Sequence, residues 1–262
     1  MNQASTKGGK TIHIVLTIIA IVVLVAVGFY IAGFRVGKFG IAKAQTVSII
    51  ELPEETEVFL DNKSIGFKEG NVELALAPGL HSIILSKVGF WPYIENIELT
   101  KGIPVRTTIK PFFFLQNPSG VLIGSNDPEY NVIISLFNKK LSPSETSPVT
   151  SSDGSMQIYV KDERITAKWL GDAEDKPTYF STDGNISSVF NPVTEVRSLA
   201  FYKDRNDVMI VAMQDGIFAL EINPNGTQNL QPLFEGKEPD FRIGTDGKLY
   251  AKDENTLMLL SI

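Results

Sequence analysis

The sequence predicts an all-β extracytoplasmic region behind one N-terminal transmembrane α-helix. The β region reads as a small β-sandwich followed by β-propeller-like or β-meander repeats. Three observations carry this. Thr11 to Gly33 is apolar and contains no Asp, Glu, Lys or Arg. From residue 46 onward, short segments rich in β-branched and aromatic residues lie between clusters of Pro, Gly, Asn and Asp. No amphipathic helical pattern of useful length interrupts them. After residue 120, a pattern of turn, strand, turn and strand recurs.

The apolar run "TIHIVLTIIAIVVLVAVGFYIAG" spans residues 11–33. At ~1.5 Å per residue it makes a helix of roughly 35 Å, enough to cross a ~30 Å hydrocarbon core. Phe29 and Tyr30 suit an interfacial aromatic position. A cleaved signal peptide is the competing reading, since "AKA" at 42–44 has a small-x-small pattern. The run is longer than such a core, and basic residues separate it from that site, which favours an uncleaved anchor. Lys7 and Lys10 flank one end; Arg35, Lys38 and Lys43 flank the other. The positive-inside count is nearly balanced, so orientation rests on the short polar tail before the helix and the large acidic body after it. That places the N-terminus inside. His13 lies near the helix end, where its ring reaches the interface.

Composition narrows the chemistry. The chain has 262 residues and no cysteine, which excludes disulfides, thiol nucleophiles and cysteine metal sites. His13 and His81 are too few and too far apart for a histidine metal site. Residues 1–43 carry five basic residues and no acid, leaving 19 basic against 30 acidic residues in the remainder. A body that acidic argues against nucleic acid as a partner. No cofactor is expected.

Residues 46–52, 56–62, 72–76, 81–88, 93–100 and 105–110 are strand candidates. "APGL" at 77–80 is a tight turn, since Pro fixes one φ and Gly accepts a positive one. Six short strands in this span make a small β-sandwich. The ordered features are Pro53, "VFL" at 58–60, "DNK" at 61–63, Gly66, "APGLH" at 77–81 and "SKVGFWPY" at 86–93. Together they resemble a PEGA domain. The namesake Pro-Glu-Gly-Ala is half kept, as Pro53, Glu54, Glu55 and Thr56. The resemblance covers about a quarter of the chain. It implies an extracytoplasmic β-sandwich module of bacterial and archaeal envelope proteins, and it brings no catalytic residues.

Beyond "IKPFFFLQNPSG" (109–120), whose three phenylalanines are expected to pack a junction, the segments 152–170, 205–222 and 245–262 can be laid over one another. Periods of 54 and 39 residues, from Asp153 to Asp207 to Asp246, suit paired strands of propeller blades. Residues 121–137 are a candidate for a further blade. The expected organisation is a cytoplasmic tail (1–10), a transmembrane helix (11–34), a juxtamembrane linker (35–45), a PEGA-like module (46–110), a linker (111–120) and the repeats (121–262).

Candidate chemistry is sparse. Glu57 and Asp61 share a strand face but lie four residues apart, roughly 13 Å at ~3.3 Å per residue, too far for a catalytic pair. Glu54 and Glu55 belong to a solvated turn. His81 lacks the nucleophile and orienting acid of a triad and reads as a half-buried strand histidine. Phe90, Trp91 and Tyr93 form the one candidate binding surface, for a sugar ring or a protein, with core packing as the other reading. Trp169 alternates with Ala167 and Ile165 and is expected in a blade core. Asp153, Asp215, Asp246 and Asp253 are turn residues, with a calcium site as the alternative.

The functional expectation is a non-catalytic, single-pass membrane protein of the cell envelope. Its β modules would meet other envelope proteins or a cell-wall polymer. Two alternatives stay open. One is an envelope polysaccharide or peptide hydrolase with carboxylates gathered by the repeats. The other is an assembly or sensor component of a membrane complex.

Overall fold

A computed structural model describes residues 7–37, 40–101, 107–138, 143–181 and 184–262. By packing, the chain divides into two units. The first takes Met1–Glu55, Phe67–His81 and Ile97–Pro111; the second takes Thr56–Gly66, Ser82–Asn96 and Phe112–Ile262. Residues 46–110, read from the sequence as one segment, thus contribute to both.

The first unit begins with α1 (Lys7–Ile31). Its stretch Ile12–Ile31 is long and apolar enough to cross a membrane, and none of it is buried by the protein. The helix ends where Gly33 adopts φ +83°, with Ala32 N–H donating to Gly28 O and Gly33 N–H to Tyr30 O. A left-handed residue after the last turn closes a helix in this way, and glycine does so without strain. The segment expected as a juxtamembrane linker contains a hairpin of β1 (Phe34–Gly37) and β2 (Gly40–Lys43). A four-residue strand on each side was too short to show a period in the sequence.

Next come β3 (Gln45–Leu60), β4 (Lys63–Leu76), β5 (Gly79–Ser86), β6 (Tyr93–Leu99) and β7 (Thr107–Ile109). They join in one sheet of order β4-β3-β5-β6, with β7 also on β3. The two strands expected on either side of Pro53 are one strand. Glu51 and Glu55, both at φ 58°, make bulge-like breaks around the proline rather than a reversal. Before the breaks, Val47–Ile49 pairs in parallel with Thr107–Ile109; after them, Glu57–Leu60 pairs antiparallel with Ile83–Ser86. Asp61 and Asn62, at φ 50° and 64°, turn β3 into β4 as a two-residue hairpin of the type that Asp and Asn favour. Thr56 and Val58 are buried, and Glu57 accepts a hydrogen bond from Ser64 Oγ at 2.6 Å. The acidic stretch is therefore the outer side of a hairpin.

The second unit contains β8 (Gly120–Leu122), α2 (Tyr130–Phe137), β9 (Val149–Thr150), β10 (Met156–Lys161), β11 (Arg164–Trp169) and β12 (Ile186–Phe190). It continues with β13 (Ser198–Phe201), β14 (Val208–Ala212), β15 (Gly216–Glu221) and β16 (Leu230–Glu235). It ends with β17 (Asp240–Ile243), β18 (Leu249–Asp253) and β19 (Thr256–Leu260). These strands build three four-stranded antiparallel sheets: β9 to β12, β13 to β16, and β17-β18-β19-β8. The middle hairpin of each sheet is one of the three repeats seen in the sequence. The third sheet takes its fourth strand from the start of the region, with Val121 opposite Leu259.

The first two sheets share a core that includes Met156, Ile158, Trp169, Leu199, Met209 and Leu220. Trp169 is buried there, and its indole N–H donates to Asp172 O at 2.9 Å. The expected blade at 121–137 is not formed. Its first residues complete the third sheet, and its last eight are helix α2. Ile133 of α2 packs with Ile123, Tyr250 and Leu257, joined by Tyr130, Ile134 and Phe137. That spacing is helical, but eight β-branched-rich residues gave too short a window to show it. Arg242, 5% exposed, fastens α2 to two sheets. It donates to Leu136 O at 3.1 Å, and to Asp240 Oδ1 and Ser198 Oγ, each at 2.8 Å.

Met209 lies fully buried between the first two sheets, whereas Val193 is fully exposed. Met209→Ala should therefore cost about 2–5 kcal/mol, and Val193→Ala within about 0.5 kcal/mol of nothing. Urea unfolding of the full chain in detergent, followed by tryptophan fluorescence, measures both. Equal losses would contradict the assigned core.

Candidate functional site: a buried tyrosine between two carboxylates

Of the predicted surface aromatics, Tyr93 is only 3% exposed, while Phe90 and Trp91 are half-buried. Trp91 N–H donates to Phe114 O at 2.9 Å, and its indole N–H donates to Pro232 O at 3.2 Å. Gln231 adds two bonds: its Nε2 donates to Pro92 O at 3.4 Å, and Phe114 N–H donates to its Oε1 at 3.2 Å. Phe112 meets Tyr93 edge-on with ring centres 5.5 Å apart, and Phe114 meets Tyr202 at 4.7 Å. Two of the three consecutive phenylalanines, Phe112 and Phe114, are buried in this junction.

The sequence did not single out what lies beyond Tyr93. Its hydroxyl is 3.1 Å from Glu95 Oε2 and 3.1 Å from Glu221 Oε1. The two carboxyl groups are thus within about 6 Å of each other. Glu221 has further support from Asn229, whose Nδ2 donates to Oε2 at 2.8 Å and whose backbone N–H donates to it at 3.2 Å. Asn229 also holds the backbone of residue 94. Ile94 N–H donates to Oδ1, and Nδ2 donates to Ile94 O, both at 2.9 Å. Both amide protons of Asn229 are used, one on each partner.

A tyrosine hydroxyl has one proton and cannot donate fully to two carboxylates. Burial, and then the charge of Glu221, push Glu95 up to about 7. Burial also raises Glu221, against the opposing hydrogen bonds from Asn229. Burial and both carboxylates push Tyr93 well above the usual phenol range. The consistent arrangement has protonated Glu95 donating to Tyr93 Oη and Tyr93 donating to ionised Glu221. Asp207 and Tyr179 also face Glu221, and Asp207 is itself paired with Arg205 at 2.6 Å.

Two carboxyls this close, one of raised pKa, have the separation of a hydrolytic acid–nucleophile pair. Here the tyrosine oxygen stands between them, and Asn229 takes the free oxygen of Glu221. The concavity of about 630 Å³ near Ile210, Leu249 and Leu259, rimmed by Lys203 and Lys248, is not lined by either glutamate. The cluster is a latch between residues 93–95 and residues 221–229 of the second unit.

The remaining candidates serve local structure. His81 Nε2 donates to Ala77 O at 2.8 Å. Asp153 accepts from Ser151 Oγ at 2.6 Å and from Ser155 N–H at 3.0 Å, and these bonds hold it at about 2. Asp246 accepts from Tyr250 Oη at 2.8 Å, and Asp253 accepts from the N–H groups of Lys237 and Glu238. Among the described residues, no three His, Asp or Glu side chains converge as a metal site.

The signal for Glu95 was in its strand. Tyr93, Glu95, Ile97 and Leu99 share one face by the two-residue period, and the others are buried. A carboxylate in an apolar stripe marks either a partner or a pKa shift.

Because Glu95 is raised when folded, its contribution is fully present below about pH 4.5 and is lost as pH rises through about 7. Unfolding of the full chain should show a loss on the order of 1–2 kcal/mol across that window. Glu95→Gln should flatten it, as measured by denaturant midpoints at several pH values. An unchanged profile in the variant would rule out Glu95 as the group responsible.

Comparison with known proteins bears on the first half of this architecture. No curated protein matches the chain. Among solved structures, one of a candidate phosphatase from Bacteroides thetaiotaomicron aligns at 14% identity and a TM-score of 0.23. The alignment covers 76% of this chain but only 46% of that one, and a likeness so slight carries no argument. The PEGA domain model matches residues 45–111, the segment from the start of β3 to just past β7. The chain is a PEGA domain-containing protein.

Proposed function

We propose that the chain is a single-pass, membrane-anchored envelope protein that presents β-rich interaction modules outside the cytoplasm. The observation that carries this is a fully exposed apolar helix, Ile12–Ile31, closely followed by the PEGA domain. An apolar helix whose side chains stay exposed along its whole span, with hairpin contacts only at its last turn, needs a lipid environment. The polar tail before it lies inside, and the acidic β region lies outside. The three meander sheets, the last completed by a strand from the start of the region, have the connectivity of small propeller-like blades.

The modules bind rather than catalyse. The closest carboxyl pair described above is used internally by Tyr93 and Asn229. The partner is another envelope protein or a cell-wall polymer, met through the surfaces of the two units.

Cysteine labelling tests this directly, because the chain has no native cysteine. Membranes washed with alkaline carbonate should retain the full chain. A membrane-impermeant maleimide should label Val88→Cys on intact spheroplasts, and Ser5→Cys only after permeabilisation. The reverse labelling would invert the topology, and release by carbonate would remove the anchor.

A further inference from the structure

The hairpin that follows α1 has two unlike faces. Its register sets Phe34 opposite Lys43, Arg35 opposite Ala42, Val36 opposite Ile41 and Gly37 opposite Gly40. By the two-residue period, Arg35, Gly37, Gly40 and Ala42 share one face, and Phe34, Val36, Ile41 and Lys43 share the other. The first face turns toward the protein. Ala42 is 8% exposed, and a Cβ on Gly37 would come within 2.9 Å of Ala77 Cβ. The second face is open: Val36 is 81% exposed and Ile41 58%.

This open face is fixed to the end of the apolar helix. Phe34, which belongs to it, packs edge-on against Phe29 of α1 with ring centres 5.4 Å apart. The Arg35 guanidinium sits 3.9 Å over the Tyr30 ring and donates to Tyr30 O at 2.9 Å. Ala44 N–H donates to Gly33 O at 2.8 Å and ties the second strand back to the helix terminus. The hairpin is thereby braced against the last turn of α1. Its apolar face continues the exposed surface of the helix through the Phe29–Phe34 contact.

We propose that the outer face of this hairpin, Phe34, Val36 and Ile41, lies in the lipid headgroup and upper acyl region of the bilayer. The proposal rests on the reading of α1 as a membrane anchor. Its occupant is lipid because the face is continuous with a surface that only lipid suits. Lys43, exposed on the same face, suits anionic headgroups. Seated this way, the hairpin does more than connect. It fixes the angle at which the first unit leaves the membrane.

Nitroxide labels at Val36→Cys and Ile41→Cys test this in the full chain, reconstituted in vesicles of phosphatidylethanolamine and phosphatidylglycerol. Val22→Cys, in mid-helix, and Val88→Cys, on the exposed surface, are the references. Both hairpin labels should show a several-fold higher ratio of oxygen to nickel-chelate collisions than the label at position 88. If position 22 is lipid-exposed while 36 and 41 match 88, the hairpin proposal falls and the anchor stands. If position 22 also collides freely with the nickel chelate, the anchor reading itself falls. Efficient disulfide crosslinking between copies at 36 or 41, with low oxygen collision there, would assign the face to a second copy and overturn the lipid assignment.

Discussion

One buried phenol between two half-buried carboxylates is the constraint on which one junction of the second unit depends. Tyr93 reaches both Glu95 and Glu221, and Asn229 satisfies what the tyrosine leaves over. Around this point Trp91 and Pro92 are held by Phe114, Gln231 and Pro232, and Ile94 by Asn229. These bonds join residues 82–96 and 112–115 to the sheet ending in β16. A polar network of this kind is stabilising only when every member is satisfied. Here that requires a proton on one carboxyl, so the junction depends on pH in a way that an apolar one does not.

The same network engages both carboxylates in hydrogen bonds within the chain. The two carboxyls, within about 6 Å of each other, have the tyrosine oxygen between them. Arg242 illustrates the same principle elsewhere. It is a buried cation that Asp240, Ser198 and the Leu136 carbonyl satisfy, and it ties helix to sheet.

Much of the fold was legible in the sequence because its signals are local. The apolar run of α1, the turn at 77–80 and the three repeated hairpins each depend on neighbours in the chain, whereas Asp61 and Asn62, read as the end of a strand, form the hairpin turn. What failed depended on distance or length. Pro53 reads as a turn, yet the bulges at Glu51 and Glu55 let one strand continue past it. Residues 121–137 read as a blade, yet the first few complete a sheet whose other strands lie more than a hundred residues away. Glu95 and Glu221 are 126 positions apart, and neither is notable until the fold places Tyr93 between them. The carboxylates that the sequence did single out, Glu57 and Asp61, lie on the outer side of their hairpin.

The Tyr93 cluster is a proton-dependent fastener, and amide hydrogen exchange reads it directly. Exchange at Ile94, Phe114 and Asn229, corrected for intrinsic rates, should be slow at about pH 5 and clearly faster at about pH 9, where Glu95 is ionised. Core amides such as Met209 should keep their protection at both. Equal protection of Ile94 and Asn229 at the two pH values would contradict the assignment.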